Sequence, residues 1–266
     1  MPVSPENAPA KAKITVNDLT MAYGSFVVMR DLNFEVAEKD IFIIMGPSGC
    51  GKSTLLRHMI GLQEPAKGSI LFEGEDFTAT DPSERGKFIH RFGVMYQSGA
   101  LWSSLTLAEN IAMPLEENTK LSAKVISDLV SYKLSLVGLS GYEDYYPAQI
   151  SGGMNKRAGI ARAMALDPDI LFLDEPGAGL DPLSSRRLDD LILRLRDSLG
   201  STIVIVTHEL ASIFAVANNS IFLDTATRTQ GATGNPTELR DHSENPAVRL
   251  FLRRGEDGDP SNTPTS

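Results

Sequence analysis

The sequence predicts an α/β fold: a mostly parallel sheet covered by helices, an antiparallel β subdomain ahead of it, and a helical lobe inserted into it. Three observations predict this. Two runs, Ile170-Leu171-Phe172-Leu173 and Thr202-Ile203-Val204-Ile205-Val206, lack polar alternation, as strands buried on both faces of a parallel sheet do. A third apolar run, Ile41 to Met45, passes through Gly46-Pro47-Ser48-Gly49-Cys50-Gly51-Lys52-Ser53-Thr54 into Leu55-Leu56-Arg57-His58-Met59-Ile60, which is strand, glycine loop, helix. Between these, over about 98–165, the apolar residues recur at helical spacing.

In chain order, residues 1–12 are proline-rich and polar without an apolar core; they read as a loose arm, not a secretion signal. Ile14, Val16 and Leu19, then Phe26, Val27 and Val28, then Leu32, Phe34 and Val36 against Asn33 and Glu35 predict short antiparallel strands, with Tyr23-Gly24 in a turn. The nine-residue loop fits G-x-x-x-x-G-K-[ST] in its required setting. Its glycines let successive N–H groups converge on an anion, and the helix beginning near Lys52 adds its orphan N–H groups and the positive end of its dipole. Lys52 then reaches the β- and γ-phosphates and Ser53 ligates Mg²⁺. A chance glycine turn is the bland alternative; the flanking strand and helix count against it. Ser69 to Phe77, around Gly74, predicts another strand and turn.

The lobe carries Leu101, Leu105 and Leu107, then Val125, Ile126, Leu129 and Val130, then Leu134, Leu136 and Val137, broken by Pro114, Gly138, Gly141 and Pro147. The core resumes at Ile170 and its strand ends in Asp174-Glu175-Pro176. Asp181-Pro182 opens a helix to roughly Leu199, with Asp181 at the N-cap and Pro182 in the first turn. The next strand ends in Thr207-His208. A last strand, Ser220 to Asp224, precedes a polar stretch, Thr225 to Gly234. Residues 241–254 read as a short helical segment and 255–266 as a disordered tail. There is no internal repeat.

Composition narrows the function. The 266 residues are 42% hydrophobic and 22% charged, a soluble globular balance, and no apolar run approaches the roughly 18 residues of a membrane span. Thirty-four acidic against 25 basic side chains give a net charge of −9, and no Lys/Arg cluster forms the stripe that nucleic acid or an anionic membrane surface requires. The one cysteine, Cys50, rules out an internal disulfide and fits a reducing cytoplasm. It is either a small filler of the loop or a reactive thiol within it.

Ligands of open α/β sheets sit beyond the carboxyl ends of the strands. The glycine loop, Asp174-Glu175 and His208 all stand there and are expected to converge. Asp174 is placed to hold Mg²⁺ through water, Glu175 to orient and deprotonate an attacking water, and His208 either to bond the γ-phosphate or to cap its strand as a buried histidine. A solvated turn is the alternative for the two carboxylates, and charges ending so apolar a strand need partners.

Ile150-Ser151-Gly152-Gly153-Met154-Asn155-Lys156-Arg157 then opens an alanine-rich helix, a second anion-binding N-terminus that one triphosphate does not need. Here the chain resembles the nucleotide-binding subunit of ABC transporters, from about Ile14 to Leu239, with the family's motifs in order. The resemblance implies an ABC ATPase domain over 13–240 that binds ATP and Mg²⁺. It implies that Tyr23 stacks on adenine (a core tyrosine being the alternative), that Gln97 senses Mg²⁺ and the attacking water, and that Glu175 is the base and His208 the switch histidine. Ser151, Gly152 and Gly153 then bind the γ-phosphate held by a second copy, and Asp181 crosses the dimer interface. Two copies packed head-to-tail would enclose two ATP molecules. Met154 stands where the signature usually has glutamine, and Gly177-Ala178-Gly179-Leu180 replaces the usual lead into Asp181. With Tyr96-Gln97-Ser98-Gly99-Ala100-Leu101-Trp102-Ser103-Ser104-Leu105-Thr106 and Asn245-Pro246-Ala247-Val248-Arg249-Leu250-Phe251-Leu252, these resemble the ATPase of MCE-type phospholipid transporters such as the Mla system. That implies partners in a membrane permease, an MCE-type lipid-binding subunit and a small regulatory subunit, at the cytoplasmic face of the bacterial inner membrane. Trp102 and Leu101 belong either to the permease-docking groove or to the lobe core. An importer or exporter of another solute shares this cassette. A soluble cassette acting on DNA or the ribosome usually carries paired cassettes or long coiled coils; a lone kinase or GTP switch leaves Ser151-Gly152-Gly153 unexplained.

Overall fold

Two sheets enclose one core between them, together with the helix that follows the glycine loop. The structure, a computed structural model, describes residues 11–97 and 99–253; the readings of a loose N-terminal arm and a disordered tail fall, but for Lys11 and Ala12, outside them. The antiparallel sheet runs in the order β2 (Phe26–Ala37), β1 (Ala12–Tyr23), β4 (Lys67–Phe72), β5 (Glu75–Asp76). Its first two strands are twelve residues each, longer than the alternation suggested, because register shifts carry the pairing across breaks in the pattern.

The second sheet contains β3 (Ile41–Met45), β6 (Phe92–Met95), β7 (Ile170–Asp174), β8 (Thr202–Val206), β9 (Asn219–Asp224) and β10 (Thr229–Gly234), in the order β10-β9-β3-β8-β7-β6. All neighbours are parallel except β9 and β10. Alternate residues explain the unbroken apolar runs. Ile41, Ile43, Met45, Leu171, Leu173, Ile203 and Ile205 face the core shared with the lobe. Phe42, Ile44, Ile170, Phe172, Val204 and Val206 face the core under the antiparallel sheet and α1 (Lys52–Met59). With both faces covered, no position is left for a polar side chain.

Ser220 to Asp224 is not the last strand, as expected: within the polar stretch 225–234 that follows it, residues 229–234 form β10, an edge strand. Its composition (Thr-Gln-Gly-Ala-Thr-Gly) is polar because only one edge of it is paired, and β9 supplies that pairing. β6 carries Gly93, where a Cβ would lie 2.2 Å from the Ala163 carbonyl oxygen, so glycine is what lets the edge strand pass the lobe.

After α2 (Gly86–Ile89) and β6, the lobe holds α3 (Leu107–Asn118), α4 (Ala123–Leu136) and α5 (Gly152–Ala163). Thr106 and Glu109 close a reciprocal capping box at the start of α3, satisfying N–H groups that the helix leaves unpaired. The fully buried Asn110 accepts from the Trp102 N–H at 2.7 Å and donates to the carbonyls of Trp102, Leu105 and Thr106, fixing the entry loop. α6 (Pro182–Leu199) begins at the residue expected: Asp181 accepts from the Leu183 and Ser184 N–H groups at 3.1 and 3.0 Å. α7 (Leu210–Val216), α8 (Pro236–His242) and α9 (Pro246–Leu252) are the last helices among the described residues, with Val248, Phe251 and Leu252 buried.

At the entry ends of β6 and β7, four charges join the two sheets. Glu73 accepts from Lys13 at 2.7 Å and from Arg91 at 2.6 Å, and Asp169 lies 2.7 Å from Arg91 and 3.5 Å from Lys13. Hydrogen bonds from Lys13 and then Arg91 hold the Glu73 carboxyl down at about 2.

Candidate functional site

The chain turns from β3 into α1 through a loop whose glycines are required by space as well as by conformation. Gly46 has φ +146°, and a Cβ there would lie 2.7 Å from the Leu223 carbonyl oxygen and 2.9 Å from the Cys50 sulfur. Cys50 is buried against the core under α1, and burial pushes its thiol up. It is a filler of the loop and not an exposed thiol. Lys52, also buried, donates to the carbonyls of Gly46 and Pro47 at 3.0 and 3.1 Å.

The three strand ends do converge. Ser53 Oγ donates to Asp174 Oδ1 at 3.1 Å, which joins the first turn of α1 to the end of β7. Burial raises the Asp174 carboxyl, against the Ser53 hydrogen bond and the charges of Arg57 and Lys52. Glu175 takes the left-handed conformation (φ +49°) and bonds its N–H to the Val206 carbonyl at 2.8 Å. Its Oε1 lies 2.8 Å from Nδ1 of His208, while its Oε2 is buried without a hydrogen-bond partner among the described residues. A buried orphan carboxylate oxygen is rare and marks a place for a further donor. His208 is exposed, so it is not a buried cap of its strand; with Nδ1 on the carboxylate, Nε2 is left for another partner.

A cleft of about 480 Å³ is lined by Tyr23, Lys52, Ser53, Gln97, Glu175 and His208, among others. Tyr23 is half exposed, with its hydroxyl donating to Gln63 Oε1 at 3.0 Å, so it is no core tyrosine. The hydroxyl is held below its usual range chiefly by a hydrogen bond with Thr54. Ser151, Gly152, Gly153 and Asp181 stand elsewhere. Ser151 caps α5, accepting from the Met154 N–H at 3.2 Å, and with Gly153 it lines a separate cavity of about 430 Å³. One chain therefore presents the loop and the Ser-Gly-Gly helix on different surfaces.

Sequence reasoning missed two things. Phe26 and Val28 also line the loop cleft, and the Arg228 guanidinium sits 5.0 Å from the Phe26 ring centre; an aromatic two residues past the Tyr23-Gly24 turn was the available signal. It also missed Lys156, whose buried ammonium reaches the Gln97 carbonyl. Trp102 is 57% exposed and so is not lobe core.

The family profile described as "ABC transporter" matches residues 29–178, more than half of the chain. The chain belongs to the ABC transporter family. The match takes in the loop, Gln97, the Ser151 segment and Glu175, and leaves Tyr23, Asp181 and His208 outside it. As an ABC ATPase, it binds and hydrolyses ATP. A protein of Mycobacterium tuberculosis named "Probable ribonucleotide transport ATP-binding protein mkl" is 41% identical over 94% of this chain and 68% of its own length. The intermembrane phospholipid transport system ATP-binding protein MlaF of Haemophilus influenzae is 38% identical over 92% of both chains, and MlaF of Escherichia coli K12 is 37% identical over 92% of this chain and 90% of its own. The fold matches the dimeric post-hydrolysis ATP-binding cassette MJ0796, bound to ADP and Pi (TM-score 0.75, 26% identity, 84% of this chain and 98% of that one). It also matches cbiO1 of Clostridium perfringens, part of the transporter complex cbiONQ (TM-score 0.80, 25% identity, 92% and 97%). Among the described residues, no helix of this ABC cassette is long and apolar enough to cross a membrane.

Proposed function

We propose that the chain is the ATPase of a phospholipid transporter, acting as a head-to-tail pair at the cytoplasmic face of a bacterial inner membrane. It is held there by a permease, with an MCE-type lipid-binding subunit and a small regulatory subunit, and takes no nucleic-acid partner. The carrying observation is the division of labour on the surface: Ser48, Gly49, Gly51 to Thr54, Glu175 and His208 share one cleft, and Ser151 and Gly153 line another. A site split in this way is completed by a second copy.

In the cleft, the loop N–H groups and the dipole of α1 receive the phosphates, and Lys52 exchanges its two carbonyls for phosphate oxygens. Tyr23 stacks on adenine. Ser53 Oγ and Asp174 Oδ1, within hydrogen-bond distance and both hard oxygen donors, fit Mg²⁺; with Gln97 they would hold it, and it would neutralise charge on the phosphates. Glu175 keeps Oε1 on His208 and uses the orphan Oε2 to take the proton of the attacking water. Ser151, Gly152, Gly153 and Asp181 of the second copy close over the γ-phosphate, so the pair is drawn together by binding and released by hydrolysis. Trp102, exposed beside the loop that follows Gln97, belongs to the permease-docking surface.

The lipid reading is supported by MlaF proteins covering 90% or more of their own length with this chain and by the Tyr96–Thr106 and Ser-Gly-Gly-Met segments. Proteins named for ribonucleotide transport are also similar. Purifying the chain with its membrane partners and identifying the bound solute separates the two; a ribonucleotide in place of phospholipid ends the lipid reading.

Glu175→Gln tests the catalytic part. It is expected to bind ATP, to lose nearly all turnover and to accumulate as an ATP-bound dimer, seen by size-exclusion chromatography. Turnover within about tenfold of wild type, about 1.4 kcal/mol in barrier, removes Glu175 as the base. Ser151→Arg is expected to leave ATP binding by the single chain intact and to block the dimer; dimers at wild-type yield contradict the shared site.

A further inference from the structure

Lys156 is the fifth residue of α5 and almost fully buried. A lysine in that position is costly unless its ammonium is partnered. Its partners are not carboxylates. The ammonium reaches two backbone carbonyls, that of Gln97, in the segment following β6, and that of Glu175, at 3.4 Å. One cation thus touches the helix begun by Ser151, the glutamine segment and the proposed base.

The Glu175 end of this bond matters most. A left-handed conformation is strained for a residue with a Cβ and persists only where its surroundings over-determine it. The Glu175 N–H is fixed on Val206, and its carbonyl accepts from the Ala178 N–H at 3.2 Å as well as from Lys156. Burial lowers the affinity of Lys156 for its proton, and the negative charges of Glu175, Glu209 and Asp174 oppose that. Each of these carboxylates stands at the catalytic end of the sheet. A second side chain, Arg162, six residues further along α5, bonds the Ala100 carbonyl, so α5 grips the same loop twice but Glu175 only once.

We propose that Lys156 is a positioning residue that locks the Gln97 segment and the Glu175 turn to the Ser151 helix. Any displacement of that helix by a second copy is then carried to the base without an intervening contact. This rests on the reading of Glu175 as the base.

The test uses the full chain and three measurements: nucleotide affinity by titration, the kcat and KM of ATP hydrolysis, and thermal unfolding. Lys156→Met is expected to lower kcat at least tenfold with nucleotide affinity and KM within threefold of wild type, since it holds Gln97 and Glu175 by their backbone carbonyls and bonds no residue of Gly46–Thr54. Lys156→Arg, which keeps a charge and two donors, is expected to return kcat to within threefold. In an E175Q background, the methionine substitution is expected to change the residual rate less than twofold. Arg162→Met serves as the control, breaking the same type of bond without touching Glu175, and is expected to lower kcat by less than Lys156→Met does. The proposal is overturned if Lys156→Met keeps kcat within threefold, if affinity and kcat fall together, or if the arginine variant is as slow as the methionine one. Should Lys156→Met not fold, Lys156→Gln takes its place under the same criteria. If E175Q itself retains turnover, it is the reading of the base that fails, independently of the outcome at Lys156.

Discussion

Asp189 offers a direct measure of what burial costs in this fold. It lies on α6, is nine-tenths buried, and accepts from the Ser212 hydroxyl on α7 at 3.0 Å. Burial, with the neighbouring charges of Glu209 and Asp190, lifts its carboxyl from an ordinary 3.8 to about 6, against the Ser212 bond. The folded chain therefore binds this proton more tightly than the unfolded one, by a little over a hundredfold, and each tenfold is 1.36 kcal/mol. The sign follows: the contribution to stability is complete below pH 3.8, declines as pH rises between 3.8 and about 6, and is gone above it, leaving the ionised carboxylate costing about 3 kcal/mol. Asp189→Asn mimics the protonated form and keeps an acceptor for Ser212. Urea unfolding of both chains from pH 5 to pH 8 is expected to give a stability difference that grows with pH and levels off near about 3 kcal/mol in favour of the variant. A difference independent of pH, or a variant less stable at pH 8, would refute the reasoning.

Two further outcomes follow from the site and the lobe. Lys52→Ala is expected to weaken ATP binding at least tenfold, measured by titration with a fluorescent ATP analogue; an unchanged Kd removes Lys52 from phosphate binding. Asn110→Asp places a buried acceptor against three carbonyls and is expected to destabilise the lobe by about 2–4 kcal/mol. Emission from Trp102, the one tryptophan, reports this during urea unfolding, and a loss below about 0.5 kcal/mol contradicts the role given to Asn110.

Legibility in the sequence followed burial. β3, β7 and β8 were readable because both faces of each are covered, and α6 because Asp181-Pro182 is a start signal that needs no tertiary help. β6 escaped notice because four residues with a glycine at the second position carry too short a period. β10 escaped because an edge strand can be polar. The glycine loop before α1 and the carboxylates at the end of β7 stood out by residue type and position, and the structure brings them together. Lys156 did not: a lysine between asparagine and arginine reads as a solvated helix face, and only the packing of α5 against the segment after β6 makes it internal. The orphan oxygen of Glu175 and the exposure of His208 were equally invisible, since both depend on how two parallel strands end in relation to each other.

The four-charge junction of Lys13, Glu73, Arg91 and Asp169 has a mechanical consequence. It clamps the β subdomain to the central sheet at the end remote from the Gly46–Thr54 loop, which ties these two layers into a single chassis. Concentrated salt reaches only the partly exposed members, Glu73, Arg91 and Asp169, while the buried Lys13 ammonium keeps its hold on Glu73, so the chassis yields little to ionic strength.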